Sequence, residues 1–204
     1  RGVANGCTLE VIDEKQLAEI EPLAKTHGKA LWSPLTAVSS PTGVTQGLAD
    51  RVLERGGEIR MNSPVTKAGP GWVEVAGIER IAVGHLINAA GLYADRVAHW
   101  FGVGLEYRML PFKGLYWYGN WPKGTLKRHV YPIPDLRNPF LGVHVTVTVD
   151  GAVKLGPTAI PAFWREDYGN LSDFVLEEAW QIASLYPRFL MSKHHDVPGL
   201  LRTE

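Results

Sequence analysis

Three short segments of this chain carry residues able to do chemistry. In residues 140–149 the side chains alternate. Leu141, Val143, Val145, Val147 and Val149 fall on one side, and Phe140, Gly142, His144, Thr146 and Thr148 on the other. Such a period of two predicts a strand whose valine side packs on a core. The opposite side, with His144 on it, then faces water or a cavity. A neutral imidazole accepts a proton near pH 7, so His144 reads as a cavity-facing general base or carboxylate ligand, or as a histidine on a solvated sheet face. In the second segment, Pro111-Phe112-Lys113-Gly114-Leu115-Tyr116, Tyr116 shares a face with Gly114 and Tyr118 while Lys113 points the other way. Lys113 reads as an ordinary edge-strand lysine or as a cation for a substrate carboxylate. Tyr131 shares a strand face with His129, although tyrosine-rich faces more often pack than catalyse. The third segment, residues 87–95, runs from an apolar stretch into Ala89, Ala90 and Gly91 and then opens a helix. Small residues there let a phosphate or cofactor approach the backbone, and tight strand-to-helix turns use the same residues.

Other chemistries find no footing. Walker A, GxGxxG, GxSxG and HExxH patterns are all absent. His194-His195-Asp196 contains metal-capable side chains, but neighbours on a helix or strand point apart, so no metal site is expected. Cys7 is the only cysteine, which excludes an internal disulfide or a cysteine-based zinc cluster and fits a reducing, cytoplasmic compartment.

The elements that would position these segments follow from spacing and punctuation. Asp13 predicts an N-cap for a helix over 14–24, with Leu17, Ile20 and Leu23 on one side. A short strand is expected at 30–32, a loop at 34–43, and a second helix over 44–54 that stops at Gly56-Gly57. Strands are expected at 58–62, 65–66, 72–75, 80–83 and 85–89, followed by a helix over 93–101. This mixture of helices and strands is an α/β signature. Beyond residue 109 the chain turns β-rich, with strands at 109–118, 127–131, 140–149 and 152–155. Asp150-Gly151 predicts a two-residue hairpin turn. After Gly156-Pro157 a loop to 170 and a helix over 171–185, capped by Ser172 or Asp173, complete the reading.

Composition sets the outer limits. The 204 residues are 45% hydrophobic and 21% charged, enough apolar material for a core. Lys plus Arg and Asp plus Glu each number 21, and a balanced chain is a poor general binder of nucleic acid or anionic membrane. Gly and Pro together reach about 18% of the chain against a usual ~12%, in keeping with many short strands and turns. A start at Arg1 suggests a piece of a larger protein.

Several runs are familiar. Ile87-Asn88-Ala89-Ala90-Gly91-Leu92-Tyr93-Ala94-Asp95-Arg96 resembles the returning FAD-domain segment of the D-amino-acid-oxidase-like flavoproteins. Residues 111–116 resemble the PFRGEYY segment of their L-2-hydroxyglutarate oxidase/dehydrogenase branch, with Lys113 where that branch carries arginine. A lysine is a point charge without the bidentate grip of a guanidinium. His129-Val130-Tyr131-Pro132-Ile133-Pro134-Asp135 is similar to the branch's YPIPD strand. Phe140-Leu141-Gly142-Val143-His144-Val145-Thr146, Asp150-Gly151, Gly156-Pro157-Thr158-Ala159 and Arg165-Glu166-Asp167-Tyr168-Gly169 are similar to its FLGVHLT, DG, GPNA and REGY runs. Order and spacing agree over residues 15–170.

The resemblance implies an α/β to α+β architecture: a substrate domain with a mixed, largely antiparallel sheet, plus an incomplete FAD-binding α/β domain. The expected division is 1–33 as the start of the substrate domain, 34–104 as partial FAD-binding domain, 105–190 as substrate-domain sheet and helix, and 191–204 as a tail. It implies FAD as cofactor, with Val65 at the adenine and Ala89, Ala90 and Gly91 along the ribose and pyrophosphate. The family's N-terminal βαβ unit has no counterpart here, so the chain by itself is expected not to hold FAD tightly. The implied reaction is hydride transfer from a small 2-hydroxy acid, L-2-hydroxyglutarate by resemblance, to flavin, with the electrons passing on to an acceptor. Face and residue type make His144 the expected base, with Tyr116, Tyr131 and Lys113 orienting carboxylates. Amino acids such as glycine or sarcosine, and glycerol-3-phosphate, are alternative substrates within the family. A binding module without cofactor is the alternative outside it. Some relatives lie at a membrane periphery.

Overall fold

A computed structural model of the chain describes residues 2–134, 142–169 and 171–191. His194, His195, Asp196, Asp135, Phe140 and Leu141 lie outside the described residues. The chain divides into two compact units: Arg1–Arg51 with Gly114–Thr158, and Val52–Lys113 with Ala159–Glu204.

In the first unit, strand β1 (Glu10–Asp13) leads into helix α1 (Glu14–Ile20) and pairs antiparallel with β2 (Lys29–Trp32). Asp13 closes a capping box: its carboxylate accepts from Gln16 N–H at 2.8 Å, and the Gln16 side chain accepts from Asp13 N–H at 3.0 Å. The helix ends four residues before the expected boundary. Glu21 precedes Pro22, whose ring disfavours helical backbone at the residue before it, and Glu21 is extended at φ −141°, ψ 93°. Helix α2 (Pro41–Glu54) starts earlier than expected, because Pro41 suits a first turn and Ser40 Oγ accepts from Gly43 N–H at 3.1 Å. It stops where the glycines predict. Gly56 adopts φ +78°, and the Gly57 N–H returns to Val52 O at 2.9 Å.

The main sheet of this unit has the order β6 (Phe112–Tyr118), β8 (Val153–Pro161), β7 (His144–Val147). β6 and β8 each contribute residues to both units. Residues 127–131 make only an isolated antiparallel bridge, Val130 to Val145, rather than the expected strand. β8 runs on through Gly156-Pro157 where a loop was expected. The β7–β8 connection is a three-residue loop, not a two-residue turn. Thr148 N–H bonds Ala152 O, Gly151 N–H bonds Thr148 O, and Gly151 takes φ +83°, the bulge position of such loops.

One of the deeply buried residues described in the unit is an acid. Glu21, 1% exposed, accepts backbone N–H groups from Lys127 at 2.6 Å, Arg128 at 2.9 Å and Leu23 at 3.3 Å. A buried carboxylate persists only when it is hydrogen-bonded, and these donors reach both oxygens, one on Oε1 and two on Oε2. They also fasten the end of α1 to the 127–128 segment.

The second unit holds an antiparallel meander of β3 (Val65–Gly69), β4 (Trp72–Val75) and β5 (Glu79–Ala82). Ala68, Val73 and Val75 are buried there, with Ile81, Val83 and Trp100 against them. Helices α3 (Ala94–His99), α4 (Leu176–Ala183) and α5 (Tyr186–Leu190) follow. The helix expected over 171–185 is present as the shorter α4, and α5, with Pro187 in its first turn, lies beyond the expected span. Val175 rather than Ser172 or Asp173 stands at the N-cap of α4. Residues 58–62 and 85–89 form no strand: apolar composition supplies propensity, but a strand needs a hydrogen-bonded neighbour, and none pairs with them among the described residues.

Replacing Glu21 with alanine should leave the N–H groups of Leu23, Lys127 and Arg128 without their acceptor. Urea unfolding of the full-length protein should show a loss of about 2–5 kcal/mol, and a loss under about 0.5 kcal/mol would refute the role given to Glu21.

Candidate functional site

The alternation of residues 142–149 is real, but its faces are reversed from the expectation. His144 and Thr146 are each 9% exposed, whereas Val143 and Val149 are half exposed. Hydrophobicity assigned the faces wrongly because polar side chains can be buried once they find partners. His144 has one: Nδ1 lies 3.1 Å from Gly142 O. A carbonyl only accepts, so Nδ1 carries the hydrogen and Nε2 keeps its lone pair in the neutral ring. The Tyr131 ring sits 4.6 Å from the His144 ring, centroid to centroid. His129 completes the group, its Nδ1 accepting from Val147 N–H at 3.0 Å. Burial, then the neighbouring His144, push the His129 pKa down, so His129 stays neutral near pH 7. The Thr146 hydroxyl is buried on the same strand face as His144 and has no hydrogen-bond partner among the described residues.

Of the residues expected to bind substrate, the structure brings Tyr131 to His144. Tyr116 lies on β6 with Lys154 Nζ 4.5 Å over its ring. Lys113 has a different occupation. Its Nζ is 2.7 Å from Asp167 Oδ1, and that carboxylate is nearly inaccessible. The charge that sequence offered to a substrate is spent on Asp167.

The cofactor-facing expectation falls in the second unit. Asn88 braces the turn, its side chain donating to Ala94 O at 2.8 Å and accepting from Ala90 N–H at 3.2 Å. Ala89, Ala90 and Gly91 are exposed. Gly91 takes φ +53°, and a Cβ placed on it would meet nothing within 4 Å. A small-residue turn with open space before it fits a cofactor passing close to the backbone. Val65, at the start of β3, is partly exposed.

Just after this turn lies a network that sequence reasoning missed. Arg165 grips Asp95 through both guanidinium NH groups, at 2.8 and 2.9 Å, and also donates to Leu92 O. Both side chains are under one tenth exposed. Asp95 accepts further from Met109 N–H at 3.0 Å and Arg96 N–H at 2.9 Å. Glu178 on α4 takes Arg165 N–H at 3.1 Å and Arg96 at 2.8 Å. Burial alone would raise the Asp95 pKa, but Arg165 and the Met109 and Arg96 amides outweigh it and hold the carboxyl at about 2. The charges of Asp95, Arg165 and Glu178 are visible in sequence, but their partners lie tens of residues away.

With this geometry in hand, the affinities of the chain are specific. Residues 1–192 match the FAD dependent oxidoreductase (DAO) family, and the chain belongs to that family. It is 37% identical over 182 residues to a protein of Caenorhabditis elegans named L-2-hydroxyglutarate dehydrogenase, mitochondrial, covering 84% of this chain and 42% of that protein. Similar proteins are L-2-hydroxyglutarate dehydrogenase of Escherichia coli (strain K12), 35% identical over 188 residues (89% and 44%), and the mitochondrial one of Mus musculus, 33% over 185 (82% and 40%). The chain thus spans about two fifths of the length of these relatives. The family is FAD-dependent, and the mixed α/β fold with antiparallel sheets agrees with it. Among the described residues no helix is long and apolar enough to cross a membrane.

The Asp95 pKa carries a signed consequence. Its folded value lies below the unfolded 3.8, so its contribution is complete above about pH 4 and is lost as pH falls toward 2. That contribution is about 2 kcal/mol, from the shift at ~1.4 kcal/mol per unit. Acid unfolding of the full-length protein should show this slope, and Asp95→Asn should remove it. An unchanged acid slope in Asp95→Asn would contradict the assignment.

Proposed function

We propose that the full protein carrying this chain oxidises a small 2-hydroxy acid of the L-2-hydroxyglutarate type to the 2-oxo acid, with FAD as its cofactor. The observation that carries the reading is the state of His144: buried, oriented by Gly142 O at Nδ1, and with no hydrogen-bond partner on Nε2 among the described residues. The names of the relatives support the substrate class.

FAD, when bound, supplies the acceptor for the two electrons leaving with the substrate's Cα hydrogen. The work of this chain is then proton transfer and placement. The substrate hydroxyl gives its proton to His144 Nε2 as the Cα–H bond breaks and the C=O bond forms. Neutral His129, close by, adds no positive charge that would oppose protonation of His144. Tyr131, against the imidazole, restricts the ring, and the Tyr116 and Tyr131 hydroxyls are donors available to a carboxylate. In this scheme Ala89, Ala90 and Gly91 would pass along the cofactor's ribose and pyrophosphate, and Val65 would meet its adenine.

Replacing His144 with alanine in the full-length protein should lower kcat by about 10²–10⁴, the usual worth of a positioned base. Flavin content, read from visible absorbance, should stay at the parent level. Turnover equal to the parent's would end the base assignment. Faster turnover of glycine, sarcosine or glycerol-3-phosphate than of any 2-hydroxy acid would end the substrate reading.

A further inference from the structure

We propose that His129 is a second functional imidazole of the site, held by the backbone as a hydrogen-bond donor to the substrate oxygen from which His144 takes the proton. The proposal rests on the 2-hydroxy acid reading and gives a role in it to a residue that the sequence left without one.

Two backbone groups place the hydrogens of the two rings on opposite nitrogens. Val147 N–H donates to His129 Nδ1 at 3.0 Å, so that nitrogen is bare and the neutral ring carries its hydrogen on Nε2. His144 is the reverse, with the hydrogen on Nδ1 toward Gly142 O and Nε2 as the acceptor. A second proton on His129 would have to displace the Val147 N–H, and burial beside His144 disfavours the charge as well. The backbone then brings both rings to one side. Val130 and Val145 exchange both of their hydrogen bonds at 2.9 Å, which sets Tyr131 across from His144 and His129 across from Thr146. The ring contact between Tyr131 and His144 agrees. His129 and Tyr131 also line a cavity of about 450 Å³, walled by α1, β2 and residues 128–134, with room for a small acid.

An acceptor and a donor on neighbouring rings suit an alcohol that is being oxidised. The hydroxyl proton passes to His144 Nε2, the Cα hydrogen leaves with two electrons for the oxidised flavin, and the C=O bond forms. The oxygen accepts a hydrogen bond throughout, most strongly as negative charge gathers on it, and His129 Nε2–H supplies the donor. A carboxylate would call for donors alone. A cation in place of His129 would oppose the proton that His144 must receive. Folding by itself gives a weaker reason for this polar face. Thr146, across from His129, buries a hydroxyl that has no hydrogen-bond partner among the described residues, a cost that an apolar side chain would avoid.

The test separates the two nitrogens of His129 in the full-length protein. An asparagine oxygen can stand where Nδ1 stands and keep the Val147 N–H, whereas a glutamine amide can stand where Nε2 stands and keep the donor. Thermal melts and visible absorbance check the fold and the flavin content of each variant. In anaerobic mixing with L-2-hydroxyglutarate, His129→Asn should slow flavin reduction about a hundredfold, with the half-saturating concentration within about threefold of the parent's, and His129→Gln should recover about tenfold of that loss. Parent-like reduction in His129→Asn, or His129→Gln no faster than His129→Asn, leaves His129 as an anchor for β7 and overturns the proposal. Nitrogen NMR of the histidine side chains reads the tautomers without turnover. A bare Nδ1 in His129 with a bare Nε2 in His144 supports the proposal. The same tautomer in both rings, or a doubly protonated His129 at pH 7, overturns it. A parent flavin that no 2-hydroxy acid reduces overturns the reaction reading and the proposal with it, and is told apart from the other failures because it appears before any substitution is made.

Discussion

The second unit depends on one buried ion pair. Arg165 and Asp95 lie 70 residues apart in sequence and meet through two parallel hydrogen bonds at under one tenth exposure. Four further groups help make that burial tolerable: Met109 N–H, Arg96 N–H, Leu92 O and the Glu178 carboxylate. A buried pair gives little net stability over an apolar substitute, yet removing one partner is expensive because it strands the other. What the pair contributes is position. It ties the segment just after Ala89-Ala90-Gly91 to the segment following β8 and to α4, so the proposed cofactor-facing turn is anchored by charge where packing is thin.

The first unit solves a similar problem differently. There a lone carboxylate, Glu21, is satisfied by amides rather than by a cation. Lys113, by contrast, is paired within the chain, to Asp167.

Local rules were legible in the residues. Asp13 with Gln16 announces a capping box, and Gly56-Gly57 announces a helix stop, because each feature is settled within a few residues. Features set by distant partners were not. Residues 58–62 and 85–89 carry the composition of strands but lack a ladder among the described residues. The strand around His144 showed its period in sequence, but not which side is buried, because that depends on what covers each face. The family was legible through runs such as residues 111–116 and 165–169, and the match over residues 1–192 agrees. His144 and Tyr131 could be named from sequence as separate candidates, while their ring contact, the Gly142 carbonyl that fixes the tautomer, and the Arg165 network required the fold.

The central claim is that this chain's buried imidazole serves the oxidation of a 2-hydroxy acid. Anaerobic mixing of the full-length flavoprotein with L-2-hydroxyglutarate tests it most directly, following the flavin absorbance band and the 2-oxo acid formed. The account predicts bleaching of the band with one 2-oxo acid released per flavin. A flavin that stays oxidised with 2-hydroxy acids, yet bleaches with an amino acid or glycerol-3-phosphate, would contradict it.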